Sequence, residues 1–164
     1  MNTTQASEVI NFYRVSDDFG CFSNFAPFPI DVDGRRWPTS EHYFQAQKFE
    51  EPEHQERIRA EKSPMIAAQM GRDRNKKLRQ DWESVKVSIM KKALVLKFTQ
   101  HDDIRDVLLS TADAKIVEHT KNDDYWGDGG DGSGKNMLGC LLMEIREEFR
   151  SIYVAPNCSS LLKT

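Results

Sequence analysis

The sequence predicts a single α+β domain that is mostly helical and carries a small mixed or antiparallel sheet. Three observations point to this class. A length of 164 residues suits one domain with short tails. Apolar residues recur at helical spacing over much of the chain, which predicts roughly five or six helices and three or four short strands. These elements do not alternate as βαβ units throughout, so a doubly wound sheet is not expected.

The domain is predicted to begin with a strand and a hairpin. The segment VINFYR at 9–14 is rich in β-branched and aromatic residues, which is typical of a strand. Within 28–40, Ile30 and Val32 alternate with polar residues ahead of Asp33-Gly34, a pair that favours a two-residue hairpin turn.

A helix is predicted from Thr39 or Ser40, both good capping residues, to about Glu50. Glu41 and Lys48 lie seven residues apart, so both project from one face, about 10 Å apart along the axis. If that face meets a pocket, burial would raise the pKa of Glu41 and suit it to acid or base catalysis. A desolvated Lys48 could act as a nucleophile or as an electrostatic partner. An exposed polar stripe is the structural alternative.

The rest of the chain is predicted to be mainly helical. Ser63 and Gly71 suit the two ends of a short helix, and Asp81 suits the start of the longest one. The predicted elements are helices at 51–62, 63–71, 81–98, 102–112 and 136–153, and a strand at 115–120. We expect the domain to span 9–152, between a flexible N-terminus at 1–8 and a C-terminal tail at 153–164.

Composition restricts the partners and the compartment. A net charge of −3 argues against general binding of duplex nucleic acid, although local patches could still take anionic small molecules. Cys21, Cys140 and Cys158 form no CxxC pair and no Cys/His cluster with zinc spacing, so we expect free thiols and no metal site. No apolar run is long enough to cross a bilayer, and the N-terminus does not resemble a signal peptide. A cytoplasmic location is therefore expected.

The segment 118–139 carries five glycines and four aspartates between Asp123 and Gly134. It matches the G-x-x-x-x-G-K spacing of a phosphate-binding loop, but Asn136 stands where Ser or Thr should hold magnesium, and the aspartates would repel a triphosphate. A calcium loop fails as well, because Gly130 and Gly139 occupy the third and twelfth positions counted from Asp128.

Two interpretations of this loop remain open. Glycines such as Gly127 let backbone N–H groups approach a small polar ligand, and Trp126 offers a flat face to a base or a sugar. Asp128 could then bind a hydroxyl or an attacking water. Alternatively, the segment is a solvated acidic turn, with Asn136 as the cap of the helix that follows.

Three further regions contain candidate binding residues. Asn24 lies among aromatics that include Phe25 and could hydrogen-bond a base edge or a ribose, although such aromatics are more often core. Trp82 begins the longest helix and is either a core anchor or a stacking platform. The basic connector at 72–80 makes Arg72 and Arg74 the candidates for a phosphate.

Several short motifs, taken together and in order, resemble the NADAR superfamily and most closely its bacterial YbiA-like branch. The motifs are INFY, FSNF, WPTSEHYFQAQKF, MGRDR, WESVK and YWGDGG with the following G-GKN-LG pattern. The resemblance covers about 9–149 and rests on the order and spacing of all of them. It implies an N-glycosidase that cleaves ribosylamino-pyrimidine phosphate intermediates of riboflavin biosynthesis and releases ribose 5-phosphate.

The resemblance also implies the site. The family's functional glutamate, tryptophan and aspartate fall on Glu41, Trp82 and Asp128. We predict that Glu41 and Asp128 share the chemistry across one ribose, with Lys48 as a further catalytic candidate. The predicted substrate-binding residues are Asn24, Phe25, Tyr43, Gln47, Arg72, Arg74, Trp126, Gly127 and Asn136. No cofactor and no metal is required by this chemistry.

Other functions stay open from the sequence. A related activity would remove ADP-ribose from modified guanine in nucleic acid. The chain could also be a non-catalytic module that binds ADP-ribose or another nucleotide, or a helical interaction module that docks a partner through its charged helix at 52–62. The intact carboxylates of Glu41 and Asp128 favour an enzyme over a binder. The oligomeric state is left open.

Overall fold

The structure is a computed structural model that describes residues 8–154, so the predicted flexible N-terminus, apart from Glu8, and all but the start of the predicted tail lie outside the described residues. The strands are β1 (Val9–Phe12), β2 (Ile30–Val32), β3 (Arg35–Trp37) and β4 (Lys115–Glu118). The helices are α1 (Ser40–Ala46), α2 (Pro52–Ala60), α3 (Pro64–Met70), α4 (Trp82–Gln100), α5 (Asp102–Ser110) and α6 (Met137–Tyr153), with one 3-10 turn at Gly20–Phe22. The predicted α+β class is confirmed.

The strands form two separate pairs rather than one sheet. β1 runs parallel to β4, with Ile10 opposite Ile116. β2 and β3 form the predicted hairpin, in which Asp33 and Gly34 both have positive φ, 50° and 79°. Two successive residues in the left-handed region are what a type I′ turn requires, which explains why this Asp-Gly pair identifies the hairpin.

The outer edge of β4 is covered by a side chain instead of a strand. The Asn136 amide donates to the Ile116 carbonyl at 2.9 Å and accepts from the Glu118 N–H at 3.0 Å. Asn136 has a φ of 50°, a conformation that asparagine tolerates better than most residues. Gly139 lets α6 approach this edge, because a Cβ there would lie 2.1 Å from the Ile116 carbonyl oxygen. Asn136 thus joins the start of α6 to the end of β4.

Helix α1 lies between two hydrophobic clusters. Thr39 caps it by accepting the His42 N–H at 3.3 Å, as the sequence predicts. Phe44 packs into the larger cluster with α4 and α6, whereas Tyr43 packs into the smaller one against Trp37. The helix ends at Ala46 rather than near Glu50, because the chain turns there to reach the bridge that pairs Phe49 with Leu78.

Helix α4 forms the centre of the domain. Its apolar face contributes to both hydrophobic clusters. The fully buried Lys97 donates from Nζ to the Ser23 carbonyl at 2.8 Å and so ties α4 to the segment after the 3-10 turn. Burial lowers the pKa of Lys97 to about 7. No helix in the described part of the chain is both long and apolar enough to cross a membrane.

Candidate active site

A cavity of about 450 Å³ opens beside α1. Its walls come from the turn after β1, the segment after the 3-10 turn, α1, the start of α3, the residue after Gly71, and the loop that joins β4 to α6. Six of the residues predicted from the sequence line it: Asn24, Phe25, Glu41, Lys48, Arg72 and Trp126. The fold therefore brings together side chains that are far apart in the sequence.

Seven predicted residues do not line this cavity: Tyr43, Gln47, Arg74, Trp82, Gly127, Asp128 and Asn136. Tyr43 packs against Trp37 in the smaller cluster, on another face of α1. Gly127 is required for close packing, since a Cβ there would lie 2.7 Å from the Thr120 side chain. The structure gives these two residues, and Asn136, positions in the framework of the site rather than on its surface.

Glu41 is the buried acid of α1, with 8% of its surface exposed. Its Oε1 accepts a hydrogen bond of 2.6 Å from the Gln45 amide, one turn further along the helix. Burial raises the pKa of Glu41, while the Gln45 hydrogen bond and the charges of Lys48 and Arg72 act in the opposite direction. The interpretation of this face as an exposed polar stripe is wrong, because Glu41, Gln45 and Lys48 all line the cavity.

Lys48 presents its amine to the same cavity. Its Nζ lies 3.4 Å from the Gly71 carbonyl oxygen and 5.8 Å from the ring centroids of both Phe44 and Trp82. Desolvation lowers the pKa of Lys48, opposed by the negative charge of Glu41. A lysine in such surroundings holds more of its neutral, nucleophilic form than an exposed one.

The aromatic wall of the cavity is built from Phe44 and Trp126, whose rings meet edge to face at 5.4 Å. Trp82 stands behind this wall, with only 6% of its surface exposed and its ring 5.1 Å from that of Phe44. The sequence left Trp82 as either a core anchor or a stacking platform, and its burial fits the core anchor. The Trp82 ring packs against Phe44 and lies near the Lys48 amine, on the side away from the cavity lining.

The carboxylate of Asp128 is occupied by its own loop. Oδ1 accepts the N–H groups of Thr120 at 3.0 Å and Gly130 at 2.8 Å, and Oδ2 lies 2.7 Å from His119 Nδ1. Burial alone would raise the pKa of Asp128, but these hydrogen bonds lower it. Asp128 does not line the cavity, so the structure does not bring its carboxylate to the cavity wall beside Glu41 as predicted. Its hydrogen bonds instead stabilise the loop 119–136 between β4 and α6, here called the glycine loop.

The acids that do face the cavity beside Glu41 are Glu118 and Asp123. Asp123 accepts the N–H groups of Tyr125 and Trp126 at 2.9 and 2.7 Å, so its carboxylate also orders the turn that carries Trp126. Glu118 ends β4. Burial, together with the charges of Asp123, Glu41 and Asp128, raises the pKa of Glu118 to about 8.

Two arginines supply positive charge to the cavity. Arg72 follows the Gly71 end of α3, and Arg14 follows β1. Arg74 lies outside the lining, so the structure separates two residues that the sequence could not distinguish. Asn24, by contrast, has both ends of its amide engaged: Oδ1 accepts from Ser40 at 2.8 Å and Nδ2 lies 3.3 Å from Met90 Sδ. These contacts fix the Asn24 amide in the cavity wall and leave one of its two N–H groups without a partner among the described residues.

Sequence reasoning missed Arg14, Phe44, Gln45, Glu118 and Asp123 as site residues. Phe44 and Gln45 could have been found, because they lie between Glu41 and Lys48 on a face already singled out. Glu118 carried no local signal, since an acid at the end of a short strand is common at a surface. Its position depends on the parallel pairing of β1 with β4, which short-range patterns do not specify.

Fold and cavity together define an α+β protein with a cavity lined by both acidic and basic side chains. The chain belongs to the NADAR family, because the NADAR domain model matches residues 11–150. It is 65% identical over 140 residues to N-glycosidase YbiA of Escherichia coli (strain K12), covering 85% of this chain and 88% of that protein.

Two further comparisons extend this assignment. The chain is 40% identical over 141 residues to riboflavin biosynthesis protein VVA0006 of Vibrio vulnificus (strain YJ016), with 86% of this chain matching 38% of that longer protein. The NMR structure of E. coli YbiA superposes with a TM-score of 0.85 at 59% identity, over 94% of this chain and 92% of that one. The family and fold predicted from the motifs are confirmed.

Proposed function

We propose that this chain is a hydrolase of N-glycosidic bonds that cleaves ribosylamino-pyrimidine phosphate intermediates of riboflavin biosynthesis and releases ribose 5-phosphate. The observation that carries the proposal is the shared cavity of a buried carboxyl, Glu41, and a partly desolvated amine, Lys48. The names of the relatives, an N-glycosidase and a riboflavin biosynthesis protein, supply the class of reaction and the substrate. The free thiols of Cys21 and Cys140 suit the cytoplasmic location expected for such a pathway.

The substrate is expected to lie with its charges matched to the cavity. Arg72 and Arg14 would bind the phosphate, because a guanidinium forms paired hydrogen bonds with phosphate oxygens. The pyrimidine would lie against Phe44 and Trp126. In this arrangement C1′ of the ribose is expected to lie near the side chains of α1.

Two routes can break the bond from C1′ to nitrogen. In the first, the bonding electron pair leaves with the nitrogen, which takes up a proton, while Glu41 removes a proton from the water that adds to C1′. In the second, the sugar opens and Lys48 captures C1′ as an imine with release of the amine; water then hydrolyses the imine and frees the sugar aldehyde. Both routes consume one water and release one amine.

Borohydride distinguishes the two routes, because it reduces an imine to a stable secondary amine. If Lys48 is the nucleophile, protein treated with substrate and borohydride gains one reduced pentose phosphate on the peptide that contains Lys48. A matched reaction with Lys48→Arg, which keeps the charge but lacks the nucleophilic amine, should give no adduct. Turnover without any adduct in the unmodified protein would favour attack by water.

The substrate itself is tested by a direct comparison. Purified protein is incubated with a ribosylamino-pyrimidine phosphate and, separately, with an oligonucleotide that carries ADP-ribosylated guanine; free ribose 5-phosphate and free ADP-ribose are both measured. Release from the first alone is the expected result. Release from the second alone would assign the chain to removal of ADP-ribose, and release from neither would assign it to binding without catalysis.

A further inference from the structure

Three carboxyl side chains line the cavity, those of Glu41, Glu118 and Asp123, and the carboxyl of Asp128, outside the lining, lies close enough to influence the pKa of Glu118. Three of these four carboxyls accept hydrogen bonds that stabilise the charged form. Glu41 accepts from Gln45, Asp123 from two backbone N–H groups, and Asp128 from two backbone N–H groups with His119 at its other oxygen.

Glu118 differs from the other three. None of the hydrogen bonds formed among residues 8–154 involves its carboxyl group, although its side chain lines the cavity. Four neighbouring acids cannot all be charged at low cost, so protons stay on the carboxyl that has the least support for its negative form. Burial and the three neighbouring acids raise the pKa of Glu118 to about 8, in agreement with the contacts.

Both backbone polar groups of Glu118, the N–H and the carbonyl, are hydrogen-bonded. Its N–H donates to the Asn136 amide oxygen at 3.0 Å, and its carbonyl accepts the Asp128 N–H at 2.9 Å. These two contacts join the end of β4 to the glycine loop and to the start of α6. They hold the backbone from which the Glu118 side chain reaches the cavity wall.

We propose that Glu118 is the general acid of this site and gives its proton to the leaving nitrogen as the bond to C1′ breaks. The inference rests on the proposed N-glycosidase function. An exocyclic amine leaves poorly as an anion, so a proton must reach the nitrogen as it takes the bonding pair. Glu118 becomes a carboxylate in this step, and it regains a proton that the attacking water releases through Glu41 or solvent.

The site would then contain two carboxyl groups in opposite roles, one as base and one as acid. Burial raises the pKa of Glu41, but the Gln45 hydrogen bond and the charges of Lys48 and Arg72 oppose that rise, so Glu41 is the better placed of the two to act as the carboxylate. Glu118 has no such hydrogen bond within 8–154 and is the acid, with Asp123 and Asp128 opposing its ionisation. Separating two acids by their surroundings is how one site performs acid and base chemistry at one pH. The loop with its aspartates thus acts on the reaction through Glu118.

The test is the pH profile of Glu118→Gln with the ribosylamino-pyrimidine phosphate. Glutamine keeps the size and the neutral charge of the acid but has no proton to transfer. We expect kcat to fall by about 100-fold with KM changed less than about threefold. The alkaline fall in rate, which reflects ionisation of Glu118 in the unaltered protein, should disappear. The other charged groups of the cavity lining, Glu41, Lys48, Asp123, Arg14 and Arg72, and the neighbouring Asp128 are unchanged in this variant.

Two further variants and one alternative substrate serve as controls for this test. Asp124→Asn removes an exposed charge from the same loop outside the cavity lining and should keep the rate and the alkaline fall. Glu118→Asp should keep the alkaline fall at a reduced rate. In a ribotide with a pyridinium base, the leaving group departs as neutral pyridine and needs no proton. The loss of kcat caused by Glu118→Gln should therefore be much smaller with that substrate.

The outcomes separate this inference from the proposed function. No release of ribose 5-phosphate by the unaltered protein would refute the N-glycosidase proposal. A Glu118→Gln variant within about threefold of the normal kcat, or one that keeps the alkaline fall, would refute only the role of Glu118. An equal loss on both leaving groups in a folded variant would show that Glu118 binds or shapes the site instead of giving a proton.

Discussion

Single side chains are expected to decide how the cavity binds the phosphate of the proposed substrate, and the two arginines of the MGRDR motif give the test. Arg72 lines the cavity and Arg74 does not. We expect Arg72→Ala to raise the Kd of ribose 5-phosphate about tenfold. That change corresponds to a loss of about 1.4 kcal/mol of binding free energy, which is modest for a charge-assisted hydrogen bond.

Isothermal titration calorimetry with ribose 5-phosphate measures the effect. Arg74→Ala is the matched control, since it removes the same charge two residues away, and its Kd should stay within about twofold of normal. Equal weakening by both variants would mean that the motif attracts the phosphate at long range and that Arg72 makes no specific contact.

Gly71 controls the orientation of Glu41 through Gln45. Its φ of −67° suits any residue, so glycine is needed there for space. A Cβ at Gly71 would lie 1.9 Å from Gln45 Oε1 and would push away the amide that donates to Glu41. We expect Gly71→Ala and Gln45→Ala each to lower kcat by about tenfold, the value of one lost hydrogen bond to a charged group.

The double variant is the informative measurement for this pair. If Gly71 acts only through Gln45, then Gly71→Ala together with Gln45→Ala should be no slower than Gln45→Ala alone. Multiplying losses, measured as initial rates on the same substrate, would show that Gly71 affects the site by another path.

Among the elements, the junction of β4 with α6 is the one that sets the position of the glycine loop. The Asn136 side chain supplies both hydrogen bonds of a missing strand neighbour. Asn136→Gly keeps the left-handed conformation and should lower the free energy of unfolding by about 1–3 kcal/mol, because the amide is lost. Asn136→Ala should cost roughly 1 kcal/mol more, since alanine is strained at this φ.

Urea unfolding of the two variants measures both costs. An Asn136→Gly variant within about 0.5 kcal/mol of the unaltered protein would mean that water replaces the amide at the edge of β4. Alanine and glycine variants of equal stability would contradict the argument from backbone strain.

The elements also show which parts of the fold can be read from the sequence. The hairpin and the Thr39 cap follow from local chemistry, in which Asp33-Gly34 and a hydroxyl each have one strongly preferred use. The end of α1 could not be read this way, because the Phe49–Leu78 bridge that stops it is a tertiary contact. The same holds for the hydrogen bonds of Asp128 to Thr120, Gly130 and His119, which depend on how the loop folds and have no local signal in the sequence.

The stability of the whole molecule should record the proton on Glu118. Its pKa is raised to about 8 in the folded protein from an ordinary value of 4.5. Between these pH values the folded state holds a proton that the unfolded state lacks, so the free energy of unfolding falls as pH rises. Glu118→Gln removes this dependence. Between pH 5 and pH 8 the free energy of unfolding of the variant should therefore rise by roughly 1–2 kcal/mol relative to that of the unaltered protein. This is less than the full pKa shift would give, because neighbouring carboxyls share the proton.

Thermal unfolding at pH 5 and pH 8 gives this comparison directly. The two proteins should have similar Tm values at pH 5, and the variant should be the more stable at pH 8. Asp124→Asn serves again as the control for a loss of negative charge from the loop. Parallel pH dependence in Glu118→Gln and the unaltered protein would show that Glu118 is ionised throughout this range.

The proposed function depends above all on the Glu41 carboxyl, which is expected to act on a ribosyl bond inside the cavity. The most direct measurement is the rate at which Glu41→Gln releases ribose 5-phosphate from the ribosylamino-pyrimidine phosphate, compared with the unaltered protein at equal folded concentration. We predict a loss of at least about 100-fold, because glutamine keeps the hydrogen-bonding shape but cannot take a proton or oppose a positive charge. A folded Glu41→Gln protein that retains near-normal turnover would contradict the account.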